Sequence, residues 1–258
     1  MKYGINMDCF EGLEPKKAAK LMKENGFSTT FVGTYYPKLD EFFAEAEANE
    51  IEVEFMHAPF RGINDMWKPT LEGEAYLKAL TDAVDICEEH SVKALVCHIS
   101  SGVNPPNIND VGFLRFERLV EYAKAKNVRI AFENIRKLAN HAYMLEKLPD
   151  ATFCWDTGHE ECFAYGLRFM PIFGNRLDVV HIHDNFCKFN GDEHLLPFDG
   201  CIDFDRVAKS IAEANLNNSL MLEVSNANEI YKNTSPEEYF SKAAIAVKEL
   251  ITKIEKYS

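Results

Sequence analysis

Basic residues are scarce in this chain: 28 lysines and arginines stand against 41 aspartates and glutamates, a formal charge of −13. Such a surface repels nucleic acid and anionic membranes over most of its area, so neither is an expected partner. Long apolar runs are missing as well, and no segment approaches the roughly 20 residues that cross a bilayer. The opening residues MKYGINMDCF hold no apolar stretch of signal-peptide length, and the cytoplasm is the expected compartment. The seven cysteines are odd in number and widely spread, with no C-x-x-C pair, which excludes a disulfide framework and reads as reduced thiols. No G-x-G-x-x-G follows the first apolar segment, which argues against a dinucleotide-binding open sheet. No linker, low-complexity tract or repeat interrupts residues 1–258, so a single domain is expected.

What is present is core material: 47% of residues are apolar, with 19 Phe and 10 Tyr. Strand candidates at 2–7, 27–32, 51–57, 93–100, 129–135, 152–157, 178–183 and 219–224 are each followed by a helical stretch, with residues 160–174 poorly periodic. Several helices announce their starts. Pro15 and Gly26 bracket the first, Asp110 is expected to cap the fourth, and Ser235-Pro236-Glu237-Glu238 opens the last. Strict alternation requires a parallel sheet, and eight units of about 30 residues fit closure into a (β/α)8 TIM barrel, an α/β fold.

In such a barrel the functional residues gather at the carboxyl ends of the strands. Six strands break their apolar pattern there, at His57, His98, Glu133, Asp156, His181 and Glu223. The densest stretch is Val179-Val-His181-Ile-His183-Asp-Asn185, where strand alternation directs His181 and His183 to one face. Either histidine alone is explained as a satisfied core residue, and the acids alone as structural ion pairs. Together they pose a problem, because buried carboxylates cost several kcal/mol each unless neutralised. One divalent ion removes that cost. Glu133, Asp156, His181 and Glu223 offer three oxygens and one nitrogen, a set suited to Mn²⁺, Mg²⁺, Co²⁺ or Zn²⁺.

Over nearly its whole length the chain resembles the xylose isomerase-like TIM-barrel superfamily, in particular its sugar phosphate isomerase/epimerase group. The resemblance rests on His57-Ala-Pro-Phe, Glu133-Asn134, Asp156-Thr-Gly-His159, His181-Ile-His-Asp-Asn185, Asp192-Glu-His194 with Pro197 and Gly200, and Leu-Glu223. It implies that Glu133, Asp156, His181 and Glu223 are metal ligands, and that Glu133 and Glu223 also form the acid/base pair of an enediolate mechanism. It further implies a small sugar substrate, with His159 and His183 contacting its hydroxyls. His57, His98 and His194 are further candidates for that role, and Trp67 with Phe60 could face the sugar ring. A homo-oligomer is compatible with all of this. Two positions depart from the group's ketose 3-epimerases: Cys187 stands where they carry arginine, and Pro197-Phe-Asp-Gly200 replaces Pro-Gly-Glu-Gly.

Two rival activities use the same scaffold, a dehydratase or lyase and an endonuclease IV-like phosphodiesterase. The latter requires an ordered set of nine ligands for three zinc ions. His57, His98, Glu133, Asp156, His159, His181, Asp192, His194 and Glu223 supply the matching types.

Overall fold

The computed structural model describes residues 1–164 and 166–257; Tyr165, inside the irregular stretch expected at 160–174, and Ser258 lie outside the described residues. The strands are β1 (Tyr3–Ile5), β2 (Thr29–Thr30), β3 (Glu52–Val53), β4 (Met56–His57), β5 (Ala94–Cys97), β6 (Arg129–Glu133), β7 (Thr152–Asp156), β8 (Leu177–His181) and β9 (Leu220–Leu222). The helices are α1 (Pro15–Glu24), α2 (Leu39–Ala48), α3 (Leu71–Glu89), α4 (Asp110–Ala125), α5 (Leu138–Lys147), α6 (Thr157–Phe163), α7 (Met170–Phe173), α8 (Phe204–Ala214) and α9 (Pro236–Glu255).

All named strand pairs are parallel, in the orders β3-β2-β1-β9 and β4-β5-β6-β7-β8. Isolated parallel bridges Gly33–His57 and Ile182–Leu222 join the two sheets into a closed cylinder. The stretch expected as one third strand, 51–57, is broken at Glu54–Phe55. Its first half pairs with β2 and its second with β5, so β3 and β4 occupy a single place in a (β/α)8 ring.

The cylinder is filled by Phe31, Phe55, Ala94, Val96, Ala131, Cys154, Val179 and Met221, all buried. A larger apolar layer lies between the strands and the surrounding helices. Helix starts follow local chemistry. Asn109, not the expected Asp110, caps α4, its side chain accepting from Gly112 N at 2.9 Å, which leaves Asp110 in the first turn where a negative charge favours the helix dipole. Asp203 caps α8 and Ser235 caps α9, the latter with Pro236 in the first turn. The region 160–174 resolves into the end of α6, a connection and α7.

Candidate active site

The carboxyl ends of the strands bring Glu133, Asp156, His181 and Glu223 together. His181 Nδ1 is the hub: it lies 3.1 Å from Glu133 Oε1, 3.2 Å from Glu223 Oε2 and 3.9 Å from Asp156 Oδ2. One ligand atom from each of the four falls within 4.8 Å of the others. Two donors bound about 2.1 Å from one ion stand at most about 4.2 Å apart, so a divalent ion fits after a contraction of roughly half an ångström.

Asp156 is held on three sides. Asn134 Nδ2 donates to its backbone oxygen at 2.9 Å while Asp156 N donates to Asn134 Oδ1 at 2.8 Å. Its carboxylate caps α6, accepting from His159 N at 2.5 Å, and His183 Nε2 lies 3.1 Å from both of its oxygens. His183 thus backs Asp156 and is not among the residues that line the cleft. It packs so closely on Gly158 that a Cβ there would sit 1.9 Å from His183 Cε1, a position only glycine can hold.

Two further trios adjoin the hub. His57 Nε2 and His98 Nε2 lie 3.1 and 2.7 Å from Glu133 Oε2. Asp192 Oδ2 lies 3.2 Å from His159 Nε2 and 3.4 Å from His194 Nε2, while its Oδ1 is buried without a hydrogen bond among the described residues. Each trio also keeps its ligand atoms within 4.8 Å of one another. Asp192 and His194 belong to the long loop after β8, in which Cys187, Asn190, His194 and Phe198 all take positive φ. Left-handed backbone costs a non-glycine residue about 1–2 kcal/mol, so the loop needs an anchor. Asp184 provides it, accepting from Asn185 N, Gly200 N and Ile202 N at 2.8, 2.8 and 3.0 Å.

The charge balance here is unusual. Burial pushes Glu133 upward, yet His98 and His181 beside it hold it well below the usual carboxylate range. Burial opposes protonation of His159, but Asp156 and Asp192 hold it well above the imidazole range; His194, half-buried, is lifted against its partial desolvation by Asp192 to about 10.

Above the hub the cleft divides into two lobes that share His57, Phe60, His194 and Glu223. One, about 220 Å³, is lined by His98, Arg136, His159, Phe163 and Asp192; the other, about 240 Å³, by Asn6, Asp8, Phe31, Tyr35 and Ser225. His57, His98, His159 and His194 therefore reach the cleft as expected. Trp67 does not. It is buried under α4, donating Nε1–H to Ile99 O at 2.7 Å and tilted against Phe116, so its indole is core and only Phe60 faces the cavity. Asn6, Asp8, Tyr35 and Arg136 were not anticipated. Their one signal in the sequence is position, Asn6 at the end of the first apolar segment and Asp8, Tyr35 and Arg136 just after the first, second and fifth.

A model of the xylose isomerase-like TIM barrel family matches residues 8–250. The chain belongs to that family. Among its relatives, the uncharacterized protein y4fM of Sinorhizobium fredii is 36% identical over 118 residues, 45% of this chain and 37% of that protein. Solved structures share the fold at low identity. D-psicose 3-epimerase from Clostridium cellulolyticum H10, in a structure with D-tagatose, superposes with a TM-score of 0.80 at 13% identity, covering 98% of this chain and 99% of that one. The IolI protein, in a structure with a zinc atom bound, superposes with a TM-score of 0.75 at 17% identity, covering 100% and 99%. At these identities the likeness is one of fold. No helix among the described residues is long and apolar enough to cross a membrane.

Proposed function

We propose that the chain acts, as one domain, as a divalent-metal-dependent isomerase or epimerase of a small sugar. The observation that carries this reading is the convergence of two carboxylates, Glu133 and Glu223, on His181 Nδ1 at 3.1 and 3.2 Å, with Asp156 at 3.9 Å completing the set beside a two-lobed cleft that Glu133 and Glu223 line. One Mn²⁺, Mg²⁺, Co²⁺ or Zn²⁺ held by Glu133, Asp156, His181 and Glu223 would polarise a carbonyl and its neighbouring hydroxyl, easing loss of the C–H proton between them.

The chain's own groups handle that proton. One glutamate takes it from carbon as the C–H electrons form the C=C bond of the enediolate, and the other delivers a proton to carbon as the carbonyl re-forms. Return to the opposite face of the same carbon epimerises; return to the neighbouring carbon isomerises. His159 and His194, whose pKa values Asp192 raises, orient substrate oxygens as donors, with His57 and His98 steadying Glu133. The test is incubation of the metal-loaded protein with free ketoses and aldoses in deuterium oxide. Incorporation of one carbon-bound deuterium into a sugar is expected, and exchange in none would overturn the reading.

One observation favours a second reading, an endonuclease IV-like phosphodiesterase: the flanking trios make three adjacent places for metal. Against it stands the charge of −13, which disfavours a duplex-DNA footprint. Metal content separates the two, about one ion per chain for the isomerase and three zinc ions with cleavage of abasic-site DNA for the hydrolase.

A further inference from the structure

The two lobes of the cleft differ in charge. One carries the Arg136 guanidinium, stacked 3.9 Å from the Phe163 ring centroid. The other has no lysine or arginine in its lining among the described residues, Arg61 lying beyond Tyr35 and Phe60 in the adjoining pocket, and carries, besides the shared Glu223 and the two histidines, the carboxylate of Asp8. Asp8 lies three residues past the end of β1, exposed on the wall of this lobe.

We propose that Asp8 is a specificity-determining residue that receives the hydroxyls of an uncharged polyol tail and turns away substrates carrying a phosphate at that end. The inference rests on the reading of the cleft as a sugar site, and it adds the substrate class.

Three observations carry it. First, Asp8 is fixed. Asn6 Nδ2 donates to Asp8 Oδ1 at 2.8 Å, and Asn6 Oδ1 accepts from Val224 N at 3.0 Å, so one side chain ties the carboxylate to the residue that follows Glu223, just beyond β9. The chain beyond is tied as well, Asn226 N donating to Cys9 O at 3.0 Å and Glu11 N to Asn226 Oδ1 at 2.7 Å. Second, Asp8 is exposed and lines this lobe together with Glu223, so its carboxylate is open to a ligand held there. A carboxylate so placed gains from hydroxyl donors, whereas a phosphate dianion brings only acceptors and like charge. Third, Phe31 and Tyr35 line the same lobe, giving C–H groups of a sugar tail an apolar wall beside the hydroxyl-binding carboxylate.

The experiment compares the metal-loaded wild type with Asp8→Asn in deuterium oxide, using D-fructose, D-psicose and D-tagatose, their 6-phosphates, and dihydroxyacetone, which has no tail. Removal of a hydrogen-bonding charge typically costs about 10- to 100-fold. That loss in kcat/KM is expected on the free hexoses and less than about threefold on dihydroxyacetone, with free hexoses preferred over phosphates only in the wild type. Equal losses on long and short substrates, or a wild type that prefers the 6-phosphates, would overturn the assignment while leaving the isomerase reading intact. If the wild type exchanges no ketose, that reading falls, and Asp8 is then judged by calorimetry with sorbitol and sorbitol 6-phosphate. A tenfold weaker sorbitol affinity in Asp8→Asn supports it; unchanged affinity, or no sorbitol binding to the wild type, overturns it.

Discussion

The two ends of the barrel treat charge differently. At the amino end Arg129 Nε donates to Asp178 Oδ2 at 2.7 Å, Asn218 Nδ2 to Asp178 Oδ1 at 2.9 Å, and Ser219 N to Glu54 Oε1 at 2.9 Å, around a cavity of about 860 Å³. Arginine and lysine are at hand there, and Arg129 reaches solvent. At the carboxyl end Glu133, Asp156, Asp192 and Glu223 meet only histidines as ion-pair partners among the described residues, and all but Glu223 and Asp192 are fully buried. One end balances its acids with fixed cations, as a structural face does. The other leaves its acids to groups that can give up a proton, which is what a site needs if a metal is to replace those protons.

The largest effect that would test this contrast comes from the mouth. Glu133→Gln and Glu223→Gln should each reduce carbon-bound deuterium exchange by about 10³-fold, since both proton transfer and metal binding suffer, while the circular dichroism spectrum stays that of the wild type. Exchange left intact in both variants would remove the two-glutamate mechanism. Between the two ends lies the apolar filling, where the expectation reverses. Met221→Ala should lower stability by about 2–5 kcal/mol through the cavity it leaves, with bound metal per folded chain unaltered. A variant that kept its stability but lost metal would show that the filling and the mouth are not separable.

How much of this was legible beforehand follows from which residues repeat a pattern. Glu133, Asp156 and His181 each end an apolar strand, so one rule, polar residue at the carboxyl end, found all three, and Glu223 one place beyond β9 was found the same way. Asp8 obeys no such rule, because it falls after a three-residue strand among residue types that read as a turn. The break at Glu54–Phe55 was invisible because β-branched and aromatic spacing does not report which neighbour a strand pairs with. The misplaced pair is instructive. Alternation correctly aimed His183 inward with His181, but β8 ends at His181, and the tertiary partner Asp156 took the second imidazole. Trp67 was lost to the same cause, since an indole N–H in reach of Ile99 O settles into the core.

That second imidazole gives an intermediate effect. Because His183 orients Asp156 without entering the cleft, His183→Ala should weaken metal affinity by about 10- to 100-fold, as loss of outer-shell support usually does, with proton exchange restored at saturating metal. Failure of excess metal to restore exchange would place His183 among the groups that touch substrate.

The smallest effect is one of pH, and it separates the two ends most cleanly in metal-free protein. His194 is raised from an ordinary value near 6.5 to about 10: burial opposes this, and Asp192 beside it more than offsets the burial. A folded-state pKa above the unfolded one means that the protonated form stabilises the fold. That contribution is complete below about pH 6.5 and is lost as pH rises through about 10. The melting temperature of the metal-free protein should therefore fall by a few degrees across that window, and His194→Gln should flatten the fall. At the amino end the Arg129–Asp178 pair contains no histidine, so Arg129→Ala should lower the whole curve slightly and leave its slope alone. If Arg129→Ala changed the slope and His194→Gln did not, the protons in question would not reside at the mouth, and the contrast between fixed and exchangeable charge would fail.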